Sequence, residues 1–127
     1  MSKLRVFLAE DYPFFRKMMR QILTADPEVD VVGESEDSTA IVLTVQSLAP
    51  DVVLLDTSLP GASGLEVASA IRRQSPRVQV VLLGDEEMED YHTVARERGI
   101  AAYLLKQNME QELLQALRNI HGVDGAG

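Results

Sequence analysis

Asp51-Val52-Val53-Leu54-Leu55-Asp56-Thr57-Ser58-Leu59-Pro60-Gly61 joins four consecutive apolar residues to an acid and then to a turn. A short apolar run with no alternating polar residue is what a strand buried on both faces of a sheet looks like. Working outward, four more runs have this character: Leu4–Ala9, Val29–Gly33, Val78–Leu83 and Ala101–Leu105. Together with Val52–Leu55 they predict five strands.

Helical spacing fills the gaps between them. Phe14, Phe15, Met18, Met19, Ile22 and Leu23 form an amphipathic stripe, with Pro13 placed for a first helical position. Ile41, Val45 and Leu48 repeat the pattern behind the capping candidates Asp37 and Ser38, and Pro50 follows. Leu65, Ala68 and Ile71 mark a third helix; Leu113, Leu117 and Ile120 mark a fifth. The fourth, Glu86 to Arg98, has a thin stripe (Met88, Tyr91, Val94, Ala95) and is expected to be the most mobile. Its ends are better specified, by acids at the start, Arg96 and Arg98 near the end, and Gly99 as a cap. Strict strand–helix alternation predicts a doubly wound α/β domain: a five-stranded parallel sheet, order 2-1-3-4-5, with helices on both faces. The domain is expected over residues 1–121, with Gly122–Gly127 as a flexible tail or the start of a linker.

At 127 residues the chain has room for one such domain. It contains no cysteine, which excludes disulfides and thiolate chemistry. The net charge is −8, from 20 acidic and 12 basic residues, and this argues against direct nucleic-acid binding by the domain. The N-terminus meets Glu10-Asp11 too soon for a signal peptide or membrane span, so a soluble, cytoplasmic protein is expected.

In open parallel sheets, ligands bind beyond the carboxyl ends of the strands. Those ends carry Glu10 and Asp11 after the first strand, Asp56 after the third, Gly84 and Asp85 after the fourth, and Lys106 after the fifth. With strands one and three adjacent, Glu10, Asp11 and Asp56 converge. Three carboxylates that close need a compensating cation, and an all-oxygen site suits Mg²⁺ or Mn²⁺. Each residue alone has a plain structural explanation as a turn, cap or solvated strand end; their convergence carries the argument. Asp56, at what is expected to be the exposed tip of a buried strand, is placed to be a nucleophile, and Lys106 to neutralise a phosphoryl oxygen.

Leu8-Ala9-Glu10-Asp11, Asp56-Thr-Ser-Leu-Pro60-Gly-Ala-Ser-Gly64 and Tyr103-Leu-Leu-Lys106 together resemble the receiver domain of bacterial two-component response regulators, over the chain to about Ile120. Lys106-Gln107, without a following proline, is similar to receivers attached to helix-turn-helix transcription regulators. The resemblance implies that Asp56 is the phosphoacceptor and that Glu10, Asp11, Asp56 and the Ser58 backbone carbonyl hold Mg²⁺. It implies that Lys106 contacts the phosphoryl group and that Tyr103 is the switching aromatic, which turns inward on activation. The implied partners are a sensor histidine kinase or phosphotransfer protein. The output surface is expected at the fourth helix, fifth strand and fifth helix, with a homodimer through that face as one arrangement. Such a domain is a signalling module rather than an enzyme.

Gly84 departs from the pattern. A Ser or Thr is expected there, and glycine has no hydroxyl to offer a phosphoryl oxygen, so the chemical site is expected to be intact while the coupling of phosphorylation to Tyr103 is altered. The alternative reading is therefore an atypical receiver, acting as a phosphorylation-independent dimerisation or docking module. A small aspartyl phosphatase is disfavoured because Ser58 stands where its second Asp belongs. No Gly-rich phosphate loop follows the first strand, and His92 and His121 read as surface residues.

Overall fold

The computed structural model describes residues 3–87 and 89–126. Five parallel strands, β1 (Leu4–Ala9), β2 (Val29–Ser35), β3 (Val52–Asp56), β4 (Gln79–Gly84) and β5 (Ala102–Leu105), form one sheet in the order β2-β1-β3-β4-β5. The helices are α1 (Pro13–Thr24), α2 (Ile41–Leu48), α3 (Gly64–Gln74), α4 (Glu89–Glu97) and α5 (Met109–Ala126), with a 3₁₀ turn at Lys106–Asn108. The expected topology and all five strands are present. β2 runs two residues further than its apolar run, β3 ends on Asp56 itself and β4 on Gly84.

The near-continuous apolar character of the central strands has its cause in burial on both faces. One core gathers Phe7, Val53, Leu55, Leu82 and Tyr103 against Ile41 and Val45 of α2, Val67 and Ile71 of α3, and Ala95 of α4. The other gathers Val6, Leu8, Leu54 and Leu83 against Phe15, Met19 and Leu23 of α1 and Met109, Leu113 and Leu117 of α5. β3 is buried throughout.

Local signals behave mostly as their chemistry dictates. Pro13 opens α1, and Ser63 caps α3 by accepting the Glu66 amide. Gly99 (φ +75°) closes α4: its amide donates to the Arg96 carbonyl and that of Ile100 to Ala95, the paired bonds of a Schellman cap. Two expectations need correction. Neither Asp37 nor Ser38 caps α2, whose N-cap is Ala40. Asp37 instead accepts the Thr39 amide, while the Ser38 hydroxyl donates to the Pro60 carbonyl and accepts the Ala62 amide, pinning the loop after β3. α4 is shorter than the charge pattern suggested, and Met88 of its stripe lies outside the described residues. α5 runs through Ala126, so helical backbone extends into the stretch whose glycines suggested a flexible tail. A glycine in a helix costs only about 1 kcal/mol relative to alanine, which a long helix absorbs.

The tip of β3 is held from below by α3. A Cβ at Gly64 would lie 2.7 Å from Thr57 Cα and 3.3 Å from the Asp56 carbonyl oxygen, both backbone atoms. Gly64→Ala is therefore expected to destabilise the protein by about 1–3 kcal/mol, with α3 forced away from the strand end. Urea unfolding checks this; a midpoint equal to that of the parent protein contradicts the close approach.

Candidate functional site

Parallel pairing fixes what meets at the carboxyl edge of the sheet. Ala9 of β1 pairs with Leu55 of β3, so Glu10 and Asp56 leave adjacent strand tips side by side. Asp56 pairs with Leu83, and Gly84 with Leu105, which brings Lys106 in from the far edge. The Glu10 backbone is fixed from two sides: its amide donates to the Ser35 carbonyl, and Arg16 donates to its own carbonyl.

The four residues singled out in the sequence come together. One carboxylate oxygen each from Glu10, Asp11 and Asp56 lies within 4.8 Å of the others. Lys106 Nζ donates to Glu10 Oε1 at 2.6 Å and sits 3.2 Å from Asp56 Oδ2. Its ammonium also lies 4.9 Å from the centroid of the Phe15 ring, a cation–π contact that the amphipathic stripe of α1 did not reveal. Ser58 reaches the site through its amide and hydroxyl, each donating to Asp56 Oδ1 at 3.1 Å.

Glu10 and Asp56 are the two buried carboxyl groups among the described residues, both at 0% exposure, so the Asp56 side chain is enclosed rather than presented at an exposed strand tip. Burial, and then the neighbouring Asp56 carboxylate, push the Glu10 carboxyl up to about 8 against the pull of Lys106. Burial also works to raise Asp56, but hydrogen bonding with Glu10 and the Ser58 amide and the charge of Lys106 outweigh it, so its carboxyl is held down. Burial and Asp56 raise Asp11. For Lys106, burial opposes the charged form and Glu10 more than restores it. Burial and the neighbouring carboxylate thus favour the neutral form of Glu10, and the surrounding donors the charged form of Asp56.

The residues fit a hard divalent cation. Three carboxylates supply oxygen donors, and Asp56 Oδ2 is buried with no hydrogen-bond partner: the Lys106 ammonium is near it, but its hydrogen bonds go to Glu10. A buried, unsatisfied carboxylate oxygen is costly unless a ligand completes it. A cleft of about 410 Å³ opens beside Lys106, lined in part by Tyr12, Phe15, Met18 and Asp85. Asp85 is exposed and shares this cleft with Lys106. His92 is half-exposed as expected, yet it also meets the Tyr103 ring edge-on.

A doubly wound parallel sheet that brings an acidic triad and a lysine to its carboxyl edge defines a class of site suited to a divalent cation and an anionic group. Comparison with known proteins carries this further. The family model described as the response regulator receiver domain matches residues 6–118. The transcriptional regulatory protein YxjL of Bacillus subtilis is 34% identical over 117 residues, 92% of this chain and 54% of its own. The nitrate/nitrite response regulator NarL of Escherichia coli is 33% identical over 112 residues, 88% of this chain and 52% of its own. Among solved structures, the receiver domain of the response regulator NarL from Mycobacterium tuberculosis superposes with a TM-score of 0.86 at 32% identity, covering 94% of this chain and 96% of that one. The chain belongs to the response regulator receiver domain family. It spans about half the length of the curated relatives it matches. No helix among the described residues is long and apolar enough to cross a membrane.

Proposed function

We propose that Asp56 accepts a phosphoryl group from the phosphohistidine of a sensor kinase or phosphotransfer protein. Asp56 Oδ2 carries this reading: a buried oxygen on an ionised carboxyl, without a hydrogen bond and 3.2 Å from an ammonium. Oδ2 forms a bond to phosphorus as the P–N bond of the donor breaks, and the imidazole leaves with that electron pair. Lys106 moves from sharing Glu10 to neutralising a phosphoryl oxygen. The Ser58 amide and hydroxyl hold Oδ1, which orients the carboxylate. Glu10, Asp11, Asp56 and the Ser58 carbonyl would hold Mg²⁺ (or Mn²⁺), whose charge offsets that of the incoming phosphoryl group.

Residues 1–121 act as this receiver, in the cytoplasm. Relatives carry names of transcriptional regulators, one of them a DNA-binding activator of Mycobacterium tuberculosis. Control of transcription through the α4–β5–α5 face, singly or as a homodimer, is the corresponding output here. A surface of net charge −8 leaves DNA contact to something other than this domain.

The second reading, a docking module that does not depend on phosphorylation, is favoured by Gly84, which offers no hydroxyl to a phosphoryl group. The two are separated by phosphorylation with acetyl phosphate and by binding of beryllofluoride, each with Mg²⁺. A positive result in either supports the acceptor; silence in both leaves the docking module.

A further inference from the structure

Tyr103 of β5 and Gly84 of β4 occupy one space. A Cβ built on Gly84 would lie 1.9 Å from Tyr103 Oη, 2.5 Å from Cζ and 2.7 Å from Cε1. All three distances are far inside van der Waals contact, so the ring fills the volume in which any side chain at position 84 would begin. Its seat is complete. The residue is 7% exposed, and its hydroxyl donates to the Glu86 carbonyl at 2.6 Å. The Tyr91 ring packs beside it at 4.9 Å between centroids, and the edge of His92 meets it at 5.2 Å. His92 is in turn tied to Glu87 at 2.5 Å, so α4 and the loop before it enclose the ring. Burial raises the Tyr103 hydroxyl above its ordinary value, so it remains a donor at any physiological pH.

We infer that Gly84 seats Tyr103 permanently inside the domain, so that the α4–β5 face has one shape before and after Asp56 is modified. The seating stands on these contacts alone; the statement about modified Asp56 rests on the proposed phosphoacceptor role. A hydroxyl-bearing residue at position 84 would have to displace the ring. Once outside, the ring would return only when that residue was drawn away. Glycine removes the competition. A partner recognising the α4–β5 face would then bind the unmodified chain as well as the phosphorylated one. Phosphorylation could act on other surfaces, but not through this aromatic.

The test is nitration of the full chain by tetranitromethane, mapped by peptide mass, with Tyr12 (60% exposed) as the internal standard of a reactive ring. In the parent protein Tyr103 is expected to stay protected whether or not Mg²⁺ and beryllofluoride are present. In Gly84→Ala, which adds only the clashing Cβ, Tyr103 is expected to react about tenfold faster or more, as when a rarely open state becomes the main one. Gly84→Thr should do the same, with protection returning on beryllofluoride; if that variant unfolds, Gly84→Ala alone decides. Equal Tyr103 reactivity in the parent and Gly84→Ala overturns the inference. So does a parent Tyr103 that reacts like Tyr12 and becomes protected on adding beryllofluoride. ¹⁹F NMR of bound beryllofluoride keeps the two claims apart: no bound signal, with Tyr103 still protected, supports the seated ring and counts against the acceptor.

Discussion

Lys106→Met is expected to slow phosphorylation of Asp56 by about 10²-fold or more, the usual loss when one fixed donor to developing negative charge is removed. Methionine keeps the apolar stem against Phe15 and removes the ammonium that lies 2.6 Å from Glu10 and 3.2 Å from Asp56. The fold should survive, because burial and Asp56 already favour the neutral form of Glu10, a preference that loss of the ammonium strengthens. Lys106→Arg should not restore the rate, since a planar guanidinium cannot replace a compact ammonium between two buried carboxyls. The initial rate of phosphorylation by acetyl phosphate, beside a urea midpoint for each variant, checks this. A Lys106→Met protein phosphorylated at the parent rate removes Lys106 from the mechanism.

The second large effect is on stability. In the unfolded chain Glu10 titrates near 4.5; in the folded, metal-free protein it is raised to about 8. Between those values the native state holds a proton that the unfolded state has released, so stability falls as pH rises through this window and levels off above about 8. Asp56 has the opposite sign. Its lowered carboxyl stabilises the fold above its unfolded value of 3.8, and that contribution is complete before the Glu10 window opens. The loss between pH 5 and pH 8.5 is expected to be about 3 kcal/mol, within the ceiling that proton linkage sets at about 1.4 kcal/mol for each tenfold change in proton affinity. Urea unfolding in EDTA at the two pH values measures it. Glu10→Gln should remove most of the slope, and millimolar Mg²⁺ should flatten it in the parent protein by binding the ionised form. A slope that persists unchanged in Glu10→Gln would show that other groups carry it.

Much of this was legible in the sequence, for identifiable reasons. Strands buried on both faces leave unbroken apolar runs, so Val52–Leu55 and Leu4–Ala9 declare themselves. Once their order is fixed, Glu10, Asp11, Asp56 and Lys106 must meet at one edge. Position 84 was readable as a missing hydroxyl. That Tyr103 fills the vacancy was not, because the contact depends on the depth of a ring lying across two paired strands. Ser38 read as a cap because its type suits one; its hydroxyl goes instead to the loop after β3, a long-range choice no local pattern encodes. α4 begins at Glu89 rather than Glu86, since acidic residues favour the start of a helix without fixing where it falls. Phe15 was assigned to the core, and only its position under the Lys106 ammonium shows a second use.

The most direct test of Asp56 as the acceptor is the intact mass of the protein after incubation with acetyl phosphate and Mg²⁺, beside an Asp56→Asn variant. A single phosphoryl increment is expected, one that requires Mg²⁺ and is absent from the variant. An increment that persists in Asp56→Asn would place the acceptor on another residue and contradict the assignment.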